Sequence, residues 1–243
     1  MTAATEFAAA APDRVWSSVV ELLHGLGEAG VTYAISRNWE RCLPCSDAHP
    51  DVDLLVSDYE LTLRIIGGER HAAPGRIAVS KLVGRSVVSF DPRYVGDGYI
   101  DPAWAADALH RRRPVGPGGT YVLGTVDHFF FTLYHALVHK MAFEPDYKDR
   151  LQHMGQMLIE GKGAPEQELP PVALLRKGSM SKAPRADRLA LLQWYMNVNS
   201  YAFTRPTDPS VAFNIEPARV GESRRPCGVS KLRAPRATRR LVQ

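Results

Sequence analysis

Cysteine is scarce in this chain: three in 243 residues, at Cys42, Cys45 and Cys227. That count excludes a disulfide framework and suits a reducing setting, so a cytoplasmic location is expected. Long apolar runs are missing as well. The richest stretch, Phe129 to Phe143, is interrupted by Thr132, His135, His139 and Lys140, and it predicts no membrane span. The opening residues, MTAATEFAAAAPDRVW, carry neither a basic start nor a long apolar segment, so no secretory signal is expected. A P-loop, G-x-x-x-x-G-K-[ST], is absent too.

What is present is a hydrophobic content of 45%, enough for one large core or for a larger and a smaller one. Basic charge is concentrated at one end. Arg219 to Gln243 holds eight Lys or Arg and one Glu, a balance of +7 against +4 for the whole chain. The preceding 218 residues are therefore net acidic by about −3. The high pI belongs to a tail, which weakens a nucleic-acid-binding body; the tail alone offers a charge-based nucleic-acid contact, without interleaved aromatics to stack on bases.

Along the chain, residues 12–29 space Val15, Val19, Leu22, Leu23 and Leu26 as a helix closed by Gly30, and VTYAIS follows as a strand. DVDLLVS predicts a second strand, DYELTLRII a helix ended by Gly67 and Gly68, and RIAVSKLV and RSVVSFDPRYV two strands turned at Gly84. From Thr125, a predicted N-cap, the period becomes helical, with Phe130, Leu133, Tyr134, Leu137, Val138 and Met141 as an apolar stripe. Further helices are predicted at 146–160 and 185–200. The pattern is α+β: a small mixed β-sheet with flanking helices, then a helical C-terminal half. The expected divisions are 1–120, 121–205 and a basic, disordered tail over 206–243.

Two motifs compete within WERCLPCSDAHPDVDLLVSD. Cys42 and Cys45 form C-x-x-C, a redox or half-zinc pattern. A turn-rich run and a strand follow it, however, where a thiol redox site needs a helix, and only His49 lies near as a further zinc ligand. They read first as incidental loop cysteines. Asp51 and Asp53, two apart on a strand, project to one face, where like charges repel unless a cation holds them. Hard carboxylates suit Mg²⁺ or Mn²⁺. Asp91, ending an apolar strand, is the natural third ligand; the alternative is a set of acidic residues that merely sit at strand ends.

An α-β-β opening with D-h-D-h on the second strand and h-x-D-h on a later one resembles the nucleotidyltransferase superfamily, which has the DNA polymerase β-like fold. AISRNWERCLPCSDAHPDVDLLV, DPRYVGDGYIDPAW and LYHALVHK are similar to segments of its nucleotidyltransferase-like branch. The resemblance covers roughly residues 12–155. It implies a metal-binding, nucleotide-binding transferase in which Asp51, Asp53 and Asp91 hold Mg²⁺ (or Mn²⁺) and serve catalysis. A nucleoside monophosphate would pass from a nucleoside triphosphate to a hydroxyl acceptor. Ser36, Arg37 and Asn38 stand where the superfamily usually has Gly-Ser. Arg37 offers a bidentate phosphate contact in its place, and Arg93 is a further nucleotide-binding candidate.

His135 and His139, four apart on the face opposite the stripe, lack the Glu of a zinc-protease helix, since Ala136 stands there. They are either packing histidines or, with Lys140, the lining of a cleft that contacts phosphate or acceptor. Residues 96–99, GDGY, read first as a turn, the alternative being a loop that borders the site because it follows Asp91 closely, and Tyr147 reads as an ordinary helix residue. Two other readings remain open: a non-catalytic nucleotide- or partner-binding module on the same fold, and a C-x-x-C redox or zinc protein.

Overall fold

The computed structural model describes residues 14–43, 51–70, 78–116, 118–161 and 183–215. Its frame is α+β, with a seven-stranded mixed sheet in the order β3-β4-β5-β2-β1-β7-β6. The strands are β1 (Tyr33–Ile35), β2 (Asp51–Val56), β3 (Glu69–Arg70), β4 (Val79–Val83), β5 (Ser86–Tyr94), β6 (Arg113–Val115) and β7 (Thr120–Val122). The helices are α1 (Val19–Glu28), α2 (Trp39–Cys42), α3 (Tyr59–Ile66), α4 (Pro102–His110), α5 (Thr125–Tyr134), α6 (Pro145–Ile159) and α7 (Arg185–Val198). A π-helical turn, His135–His139, continues α5 directly.

Alternation along β2 sorts its side chains between two cores. Val52, Leu54 and Val56 join Leu22, Leu26, Ile65 and Phe90 in one apolar cluster. Leu55 points the other way and joins Trp104, Phe129, Phe130 and Tyr134 in the second. Asp51 and Asp53 share the parity of Leu55, so the acidic pair faces the helical half of the molecule. β2 runs parallel to β5 with Asp51 opposite Ser89, Asp53 opposite Asp91 and Leu55 opposite Arg93.

Several local expectations shift. The first helix begins at Val19 because Ser18 caps it, its side chain accepting from the Glu21 N–H. Val15 stays outside, 84% exposed, while Trp16 is fully buried and bridges Val83. Gly124 precedes α5 as its N-cap, with Thr125 inside the helix. The one-sided stripe is also revised: every residue from Thr125 to His139 is buried, whereas Met141 is exposed. Helix α4 and the β6–β7 hairpin have no counterpart in the sequence pattern. In α4 the Asp101 carboxylate caps the N–H groups of Ala103 and Trp104, with Pro102 in the first turn.

Residues 201–215 form an extended strap across the helical half. The Asn214 N–H donates to the Val138 carbonyl, its Nδ2 to the Lys140 carbonyl, and Thr207 donates to Asp97. Gly98, with φ +75°, allows the strap close: a Cβ there would lie 2.3 Å from the Arg205 carbonyl oxygen. The strap continues past position 206, where the expected tail begins. Residues 216–243, Cys45 and His49 lie outside the described residues. No helix is long and apolar enough to cross a membrane among the described residues.

Candidate functional site

Where β1 ends beside the start of β2, the Ser36 N–H donates to the Asp53 carbonyl at 2.8 Å. This pairing delivers Arg37 and Asn38 to the edge of the acidic face. Asn38 takes the left-handed conformation, φ 58°, which asparagine tolerates better than most residues. Its side chain does not cap α2; Nδ2 donates to Asp53 Oδ2 at 3.2 Å. The Arg37 guanidinium donates to Asp53 Oδ1.

The neighbouring strand repeats the arrangement. Arg93 Nη2 donates to Asp91 Oδ2 at 3.1 Å and lies 2.9 Å from Oδ1. Its Nη1 donates to Asp208 Oδ2 of the strap, also at 3.1 Å. The Arg93 guanidinium lies 4.5 Å from the centre of the Tyr99 ring. Burial works against the charge on Arg37 and Arg93. Asp53 beside Arg37, and Asp91 and Asp208 beside Arg93, outweigh it and raise both pKa values above the ordinary one.

These groups surround a cavity of about 470 Å³, within the usual range for a small-molecule site. Asp51, Asp53, Ser89 and Asp91 form its sheet side, with Arg37, Asn38 and Arg93 around them. His135, His139 and Lys140 face them from the π-helical turn, and Tyr99, Tyr147, Ser210 and Val211 complete the lining. Nine of the ten sequence-derived site residues therefore meet in one place. Ser36 is the exception: it is buried, holds β1 to β2 through its backbone and does not line the cavity.

The histidines are uncharged. Burial, reinforced by Arg37 and Arg93, holds His139 down to about 3 and pushes His135 well below its ordinary value. The Tyr99 hydroxyl hydrogen-bonds His135 Nδ1. Burial raises the hydroxyl pKa values of Tyr99 and Tyr147, so both stay protonated. Several cavity atoms accept or donate no hydrogen bond among the described residues: Arg37 Nε, Arg93 Nε, Asn38 Oδ1, Asp91 Oδ1, His135 Nε2 and both ring nitrogens of His139.

Sequence reasoning missed Ser89, Ser210 and Asp208, set Tyr147 aside as an ordinary helix residue, and gave the loop holding Tyr99 a place at the site only as the second reading. Tyr99 sits in the GDGY turn, where Gly96 and Gly98 both take positive φ; its proximity to Asp91 in the chain was the available signal. Nothing local marks Asp208, which reaches Arg93 across 115 positions. Cys42 is buried, donates to the Asp51 carbonyl at 3.2 Å, and burial pushes its thiol up to about 12. It is a packed thiol, not an activated one.

No group of three or more His, Cys, Asp or Glu side chains stands ready to hold a metal ion among the described residues. Compared with models of protein families, with curated proteins and with solved structures, the chain matches none.

Proposed function

We propose that this chain transfers a nucleotidyl group from a nucleoside triphosphate to a hydroxyl acceptor, assisted by Mg²⁺ or Mn²⁺. One observation carries the reading: Asp53 and Asp91 are register partners on adjacent parallel strands, with Asp51 on the same face. The donor set is chemically suited to a hard divalent cation. It comprises three carboxylates from two neighbouring strands; Asp91 Oδ1 accepts no hydrogen bond among the described residues, although Arg93 Nη2 lies 2.9 Å from it as an ion pair. Asp51, Asp53 and Asp91 would hold the ion, provided Arg37 releases Asp53. Bound there, it would offset charge on the triphosphate and on the departing pyrophosphate.

The residues of the chain supply the rest. The acceptor oxygen bonds to the α-phosphorus, the bond to the β-phosphate breaks, and pyrophosphate leaves. Asp91 takes the hydroxyl proton. Arg37, Arg93 and Lys140 are the cavity's cations and contact the phosphates. Arg37 takes the part that a Gly-Ser turn would otherwise play.

The test is transfer of label from α-labelled nucleoside triphosphates, with Mg²⁺ or Mn²⁺ and a cell extract as acceptor source. Wild type labels a product. Asp53→Asn, which keeps an oxygen for Arg37, loses at least about 100-fold in rate while staying folded. Full activity in Asp53→Asn would sink the assignment.

The arginine–aspartate pairs favour a second reading, a non-catalytic nucleotide-binding module, because Asp53 and Asp91 each already have a cation beside them. Triphosphate binding that is independent of metal and of Asp91, without turnover, would select that reading.

A further inference from the structure

The cavity has two chemically different sides. Its charges belong to three aspartates, two arginines and Lys140, whereas the π-helical turn contributes two uncharged imidazoles. His135 and His139 are 7% and 5% exposed, and three of their four ring nitrogens have no hydrogen-bond partner among the described residues. Leaving such a group buried and unmet is unfavourable. A local π-helix is uncommon and recurs at functional sites. Here it sets both rings on the cavity lining, with ring centres 5.8 Å apart.

A neutral imidazole donates through one nitrogen and accepts through the other. A hydroxyl does both as well, so the two are matched partners. A phosphate is chiefly an acceptor and carries charge, which the cations of the cavity answer better than a neutral ring. Two tyrosine rings flank the histidines: Tyr99 lies 4.1 Å from His139 and Tyr147 5.7 Å from His135, centre to centre. Both tyrosine rings are buried, so they hold the imidazoles in place and leave the ring nitrogens to take the hydroxyls of a compact polyol. The Tyr99 hydroxyl, bonded to His135 Nδ1, fixes that ring so that Nε2 is left for a ligand.

We propose that His135 and His139, between Tyr99 and Tyr147, form a subsite for an uncharged polyhydroxylated molecule such as a sugar or cyclitol. Calling this molecule the acceptor rests on the nucleotidyl-transfer reading; the binding itself does not. Chemically, an acceptor of this kind enters without a phosphate of its own, and the reaction gives it its first.

The experiment is a ring-nitrogen NMR titration of the full chain, without nucleotide or metal. The probes are neutral hexoses, myo-inositol and glycerol, with inorganic phosphate as the contrast. The expected result is that at least one neutral polyol shifts the His135 and His139 ring resonances. His139→Phe weakens that binding about tenfold, the size of one hydrogen bond. Rings that respond to phosphate alone, or to no probe, overturn the proposal. The wild-type titration decides the matter even if the variant folds poorly. A polyol response without nucleotidyl transfer keeps the subsite and removes the reaction; transfer without a polyol response does the reverse.

Discussion

Asp127 and Asp53 are both buried aspartates bound to an arginine, yet their surroundings differ in kind. Asp127 is fully buried, and its carboxylate accepts from Trp104 Nε1, Arg111 Nε, Arg111 Nη2 and the Tyr195 hydroxyl at 2.9–3.1 Å. Around Asp53 and Asp91, the guanidinium Nε atoms, Asn38 Oδ1 and the facing histidine nitrogens are left without partners among the described residues. The first cluster is closed and ties α4, α5 and α7 together. The second is open on one side, and the open side is the cavity. A buried polar network with its hydrogen bonds made stabilises and specifies a core, whereas one left partly unmet holds binding capacity in reserve at a cost in stability.

The largest expected effect comes from breaking the closed cluster. Asp127→Ala removes the buried acceptor that Arg111, Trp104 and Tyr195 share, and should lower unfolding free energy by about 3–5 kcal/mol, read as a fall in the urea midpoint. Asp53→Asn should move that midpoint far less. Equal losses would erase the distinction between the clusters.

Acid should discriminate next. His128, His135 and His139 are all held below the ordinary 6.5, first by burial; His128 and His139 come down to about 3. The folded chain keeps them neutral while the unfolded chain takes up protons. Their contribution is therefore complete above pH 6.5 and is lost as pH falls toward about 3. His128 and His139 each add about 1 kcal/mol per pH unit to the slope in that window. His139→Phe should remove one share, measured by urea unfolding across the range. An unchanged slope would mean that His139 is not buried in its neutral form.

The smallest effects make the finest comparison. Tyr195→Phe removes one donor from the closed cluster and should cost about 1–2 kcal/mol. His139→Phe removes nitrogens that bond to nothing described, so its effect at neutral pH should stay within about 1 kcal/mol of zero. A larger loss in His139→Phe than in Tyr195→Phe would place His139 in the structural class.

Much of the site was legible because the sheet repeats every two residues. D-x-D in an apolar run sends both aspartates to one face whatever lies beyond it, and Asp91, two residues from Ser89 and from Arg93 on a strand ending in Pro-Arg-Tyr, could share that face. The Arg37–Asn38 turn was visible as polar residues after an apolar strand. Helix α4 was not legible, because Ala-rich PAWAADALH carries its buried residues among exposed alanines and an aspartate. The π-helical turn was equally hidden: HALVH differs from an α-helical sequence in nothing that spacing reveals.

By itself the sequence determined most of the elements, α4 and the β6–β7 hairpin excepted, and the facing of their side chains: apolar alternation on β2 and β5, a helical period after Thr125. Those are local preferences, set by sterics and hydrogen bonding within a few residues. Tertiary structure alone decided that Asp53 lies beside Asp91, that Asp208 reaches back to hold Arg93, and that His135 and His139 lose their charge. Register, long-range pairing and desolvation depend on what is packed alongside, and no short stretch of sequence contains its own neighbours.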